Sequence, residues 1–123
     1  MSLLISLRRG NEELQLGAYP AVLLTYDQLL QVDDGSLLAT HRNNRWYAEG
    51  EEYSSLEIIG PLIVRQPSGE NLGPYTNASM FDGVAYVDGR VFAFTDIQQH
   101  DWYMHDVGAH WPAMRISFHR TGP

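Results

Sequence analysis

The stretch AVLLTYDQLLQV at residues 21–32 decides the fold, because its apolar spacing taken alone fits a helix as well as strands. The tie is broken by NASMFDGVAYV at residues 77–87, which follows the same landmarks in the second half of the chain. Asn77, Ser79, Asp82 and Gly83 are poor helix formers, and Val84-Ala85-Tyr86-Val87 has the β-branched and aromatic character of a strand. Two copies of one motif share one fold, so residues 21–32 are expected as strand as well.

The matched blocks keep their order along the chain. Leu16-Gly17-Ala18-Tyr19 recurs as Leu72-Gly73-Pro74-Tyr75, and Tyr26-Asp27 as Phe81-Asp82. Asp34-Gly35 with Leu38-Ala39 recurs as Asp88-Gly89 with Phe92-Ala93, and Trp46-Tyr47 as Trp102-Tyr103. Gly50, Tyr53, Leu56 and Ile58 return as Gly108, Trp111, Met114 and Ile116, while Leu7-Arg8 lines up with Val64-Arg65. A self-similarity with a period of about 56 residues reads as a tandem duplication. The copies cover residues 1–60 and 61–123, and Gly60-Pro61 between them is too short for a flexible linker. One domain over residues 1–123 is therefore expected, its halves sharing a core about a pseudo-two-fold axis.

Each copy reads as a β-meander. Asp34-Gly35 and Asp88-Gly89 each stand between apolar runs, the pattern of a type I′ hairpin turn, which needs positive φ at both central residues. Second turns are expected at Asn43-Asn44 and at residues 98–101, and closing strands at residues 56–59 and 114–118. The expected fold is all-β, a sandwich or a barrel of about eight to ten strands. The shared aromatics Trp46 and Trp102, Tyr47 and Tyr103, Tyr53 and Trp111 are expected in the core.

Composition narrows the function. The 123 residues are 44% hydrophobic and 19% charged, a globular profile. Fifteen carboxylates against eight arginines and no lysine give a formal charge of −7, which repels phosphate backbones and anionic lipid heads, so neither nucleic acid nor membrane is an expected partner. The absence of cysteine removes disulfides, thiolate metal sites and cysteine nucleophiles. Residues 1–9 hold too short an apolar run for a signal peptide, which leaves a soluble cytoplasmic protein as the simplest expectation.

Candidate chemistry gathers in HDWYMHDVGAHW at residues 100–111. His100, His105, His110, Asp101 and Asp106 are ligand types that suit a divalent metal. The histidine spacing of five and five matches neither one helix face nor one strand face, so a loop would have to shape such a site. Asp27 and Asp82 each follow an aromatic residue; a carboxylate pair near the pseudo-axis is one reading, and local turn hydrogen bonding is the preferred one. No nucleophile elbow, phosphate loop or dinucleotide fingerprint is present. The reading is a non-enzymatic binding module for a partner with a basic surface, by analogy of size and charge with proteins that neutralise toxins. Two alternatives stand beside it: a metal-binding or metal-dependent β-barrel using the histidine loop, with no other cofactor, and a carrier of a small apolar ligand.

Overall fold

The computed structural model describes residues 2–65, 70–93 and 102–107, and the described residues are all-β. The strands are β1 Leu3–Arg9, β2 Glu12–Tyr19, β3 Ala21–Leu24, β4 Gln28–Gln31, β5 Leu37–Arg42 and β6 Arg45–Ala48. They continue as β7 Glu51–Tyr53, β8 Ser55–Arg65, β9 Asn71–Phe81, β10 Val84–Val87, β11 Arg90–Ala93 and β12 Trp102–Asp106. All twelve belong to one antiparallel sheet curled into a half-barrel, more strands than the about eight to ten expected. The additional ones include β2, whose alternation is masked by exposed edge residues, and β7, which the unforeseen turn Glu49-Gly50 creates. The expected turn at residues 98–101 and strand at 114–118 lie outside the described residues.

Tight turns set the register. The pairs Arg9↔Glu12, Arg42↔Arg45, Ala48↔Glu51, Phe81↔Val84 and Val87↔Arg90 each close a two-residue hairpin loop. In four of them both loop residues have positive φ: Asn43-Asn44, Glu49-Gly50, Asp82-Gly83 and Asp88-Gly89. The Asp88 carboxylate also accepts hydrogen bonds from the Thr76 and Asn77 amides and the Thr76 hydroxyl, which holds its pKa below the usual range. Asp34-Gly35 departs from the expectation of a type I′ turn. Asp33 lengthens the loop, only Gly35 takes positive φ, and Asp34 instead accepts hydrogen bonds from the Ser36 amide and hydroxyl.

The longest strands form the spine. β9 pairs along the whole of β8, whereas the other edge of β8 is divided, with Leu4–Arg8 of β1 on its first half and Tyr103–Asp106 of β12 on its second. Gly60-Pro61, expected as punctuation, lies inside β8 where the partner changes. Leu56, Ile58, Leu62 and Val64 all point into the core, and Gly60 holds the same parity between them. A Cβ at Gly60 would come within 2.9 Å of the Leu3 side chain, which fills that inward position. Trp46 and Trp102, although aligned in sequence, have different neighbours: β6 lies between β5 and β7, and β12 lies between β8 and β3.

One core cluster draws on both halves of the chain, from Leu3, Ile5 and Leu7 of β1 to Val87 of β10 and Met104 of β12. Trp46, fully buried, donates its indole N–H to the Met80 carbonyl at 3.2 Å and so ties β6 to β9 across the interior of the curl. At the rim, the Ser54 amide and hydroxyl both donate to the Arg8 carbonyl, at 2.8 and 3.0 Å. β3, β4 and β12 are buried on both faces: Val22, Leu24, Leu29, Trp102 and Met104 look into the core, while Ala21, Leu23, Leu30, Val32 and Tyr103 form a second cluster behind it. Replacing Trp46 by Ala is expected to lower the unfolding free energy by about 3–5 kcal/mol, read from urea denaturation; a loss below about 1 kcal/mol would show that the indole does not tie the curl together.

Candidate binding surfaces

The outer face of β9, β10 and β11 carries an exposed aromatic patch. Strand alternation turns Ala78, Met80, Ala85 and Val87 inward and Phe81, Tyr86 and Val91 outward. Phe81, Tyr86 and Val91 are 42%, 37% and 64% exposed, and the rings of Phe81 and Tyr86 stack with centroids 5.3 Å apart. The cross-strand row runs from Val91 through Tyr86 and Ser79 to Glu57, so a carboxylate shares the face with the rings. Contiguous exposed apolar side chains of this kind mark interaction sites more often than isolated ones do.

Beside the patch stands the Asn43-Asn44 tip of the β5–β6 hairpin. On one side of the tip, Asn43, Asn44, Arg45, Ser54, Phe81 and Asp82 enclose about 360 Å³. On the other side, Tyr26, His41, Arg42 and the same two asparagines enclose about 270 Å³. An exposed ring borders each hollow, Phe81 on one side and Tyr26 on the other. Asp27 accepts from the Thr25 hydroxyl and its carbonyl from the His41 amide, whereas Asp82 opens a type I′ turn with φ of 54°. Both aspartates order turns, as their chemistry suggests.

Farther along the outer surface, acidic groups outnumber basic ones. Arg8 pairs with Glu57 and with Glu13, Arg9 with Glu12 and Glu51, and Arg45 with Glu52, five glutamates around three arginines. Hydrogen bonds to Glu12 and Glu51 push the Arg9 pKa further up and keep it charged.

The expected histidine site is only partly visible. His100, Asp101 and His110 lie outside the described residues. His105 and Asp106 occupy consecutive positions of β12, so strand alternation sends their side chains to opposite faces. No three metal-ligating side chains converge among the described residues. His105 is buried, with Nδ1 3.0 Å from the Asp106 carbonyl oxygen. A carbonyl only accepts, so Nδ1 carries the proton, and Nε2 is buried without a hydrogen-bond partner among the described residues. The Tyr103 ring stacks on His105 at 5.2 Å, and its hydroxyl is likewise buried with no hydrogen-bond partner among the described residues. Burial pushes the phenol pKa well up, only partly opposed by Arg65.

Of the shared aromatics, Trp46, Trp102 and Tyr53 pack in the main core and Tyr103 in the second cluster, while Trp111 lies outside the described residues. Tyr47 is a correction. It follows Trp46 on β6 and therefore faces the other way, half-buried, donating its hydroxyl to Glu52. Sequence reasoning missed the stacked Phe81–Tyr86 pair because their approach requires the Phe81↔Val84 register, which only the Asp82-Gly83 turn fixes.

His41 is buried against Trp46, with ring centroids 4.6 Å apart. Burial lowers its pKa, and a hydrogen bond to the Tyr26 backbone works the other way. A histidine whose folded pKa lies below the unfolded value stabilises fully above about pH 6.5 and loses that contribution as the pH falls. The urea midpoint of the wild type is therefore expected to drop between about pH 7.5 and 5.5, with a smaller drop in His41→Gln; equal drops would show that His41 does not set the slope.

Among the described residues no helix is long and apolar enough to cross a membrane. Comparisons with protein-family models, with curated proteins and with solved structures give no match to this chain.

Proposed function

We propose that this chain is a non-catalytic interaction module whose outer β9–β11 face docks a protein with a basic surface. The observation that carries the reading is the exposed, stacked Phe81–Tyr86 pair with Val91 beside it and Glu57 and Asp82 at its margins. Aromatic anchors that bury in a partner's pocket supply most of the energy of a protein interface, and surrounding charges set the choice of partner. The net charge of −7 and the glutamate-rich flank favour a cationic one. The same features describe a neutraliser of a basic protein.

The full chain, immobilised and exposed to a native extract, is expected to retain a protein of pI above about 9. Release is expected when salt rises from about 0.15 M to about 1 M. The Phe81→Ser/Tyr86→Ser variant, with its Tm within a few degrees of wild type, is expected to lose that protein. Identical retained sets for the two, or a set dominated by acidic proteins, would overturn the reading.

A second reading keeps His105 as a divalent-metal ligand completed by His100 and His110. It is supported by the buried Nε2 lone pair and by the Nδ1 hydrogen bond, since a ligating imidazole usually has its other nitrogen held by a carbonyl or carboxylate. Zinc or manganese is expected to raise the Tm of the wild type and to leave His105→Asn unmoved; no rise with either ion, or equal rises in both proteins, would remove this reading.

The module is also read as a doubled β unit. Supporting this, the second half of β8 with β9 has the order and pairing of β1 with β2, and β10 with β11 that of β4 with β5.

A further inference from the structure

We propose that the cleft between β2 and the β5–β6 hairpin binds an amphiphilic amine, a small molecule with an apolar tail ending in a protonated nitrogen. The site is separate from the Phe81–Tyr86 face and does not depend on the docking reading.

Among the described residues β2 hydrogen-bonds to β1 alone, and Leu16 of β2 lines the cleft. Across the gap stand Leu37, Leu38 and Ala48, and the enclosed volume is about 480 Å³, within the about 300–1,000 Å³ of small-ligand pockets. Leu16, Leu38 and Ala48 pack against the main core, so the floor of the cleft is continuous with the interior of the half-barrel. Leu37, at 53% exposure, leaves apolar surface at the mouth that an alkyl tail would remove from water.

The sign of the ligand's head follows from the rim. Glu49 is the one charged residue lining the cleft among the described residues. The Tyr47 ring on the same wall already holds the Arg42 guanidinium 4.8 Å from its centroid, so it is an aromatic face that accepts cations. A fatty carboxylate would meet Glu49 with like charge, whereas an ammonium group would pair with it.

Glu49 also occupies a conformation that does not suit it. Five described non-glycine residues have positive φ, and the other four are Asn43, Asn44, Asp82 and Asp88, the types whose short polar side chains tolerate that region. Glu49, with φ of 53°, is the exception, in a turn where Asn would serve the hairpin better. A residue that costs the fold stability at the rim of a cleft fits a residue kept for its carboxylate.

The test uses the full chain at pH 7 with n-octylamine, n-octanol and octanoate, followed by backbone amide NMR titration and thermal unfolding. Octylamine is expected to give saturable shifts centred on Ala48, Glu49 and Leu38, with octanol weaker and octanoate weakest. Glu49→Asn is expected to raise the Tm while weakening octylamine about tenfold, the loss of a charge-assisted contact. Leu37→Arg, at an exposed position, is expected to weaken octylamine and strengthen octanoate, whereas Phe81→Ser/Tyr86→Ser should bind octylamine as the wild type does. The proposal is overturned if octylamine and octanoate bind equally, if neither saturates at these amides, or if Glu49→Asn keeps wild-type affinity.

Discussion

The packing of Leu3 into the space left by Gly60 is the constraint on which the architecture depends. β8 has one continuous neighbour, β9, and two successive neighbours on its other edge, β1 and then β12. Where the partner changes, an inward side chain on β8 would occupy the volume that Leu3 fills, since a Cβ there lies 2.9 Å from Leu3 Cδ2. Glycine removes that conflict and allows Leu3 to be fully buried. β1 and β12 can then share one edge of β8, and strands from both ends of the chain enter one core.

This arrangement explains why the half-barrel offers two chemically distinct surfaces. Curling concentrates the larger apolar side chains on the concave side, where Trp46 bridges from β6 to the Met80 carbonyl. The convex side of β9–β11 receives the alternate residues, and a short run of them is aromatic. Among the described residues β2 has a partner on one edge only, and Leu16 lines a cleft beside it. The exposed aromatic face and the Leu16–Leu37 cleft thus follow from strand parity and from the curl of the described sheet.

The all-β class was legible because residues 77–87, which match residues 21–32 in landmark order, lack helix formers where the latter are ambiguous. The ambiguity of residues 21–32 has a structural cause: β3 and β4 are buried on both faces, so their apolar residues run without the alternation that identifies a strand. Turn positions were legible where Asn or Asp precedes Gly or Asn, as at Asn43-Asn44 and Asp88-Gly89. Asp34-Gly35 was misleading because Asp33 lengthens the loop and the Asp34 side chain bonds locally. The candidate surfaces were less legible, since the Phe81–Tyr86 stack and the Leu16–Leu37 cleft depend on register and on sheet curl, which no local window encodes.

Comparing the similar sequence blocks separates fold from function only as far as neighbouring residues share an orientation. Trp46-Tyr47 is repeated as Trp102-Tyr103, and repetition alone would place all four rings in the core. Alternation assigns Trp46 and Trp102 to the main core, Tyr103 to the cluster behind it, and Tyr47 to the wall of a cleft. A better indicator is disagreement between a residue and its local conformation. Asparagine and aspartate at positive φ satisfy the turns they occupy, whereas Glu49 does not, and it lines a cleft with no other charged lining residue among those described. Local rules broken without a packing reason are where function is best sought, and among the described residues Glu49 breaks one.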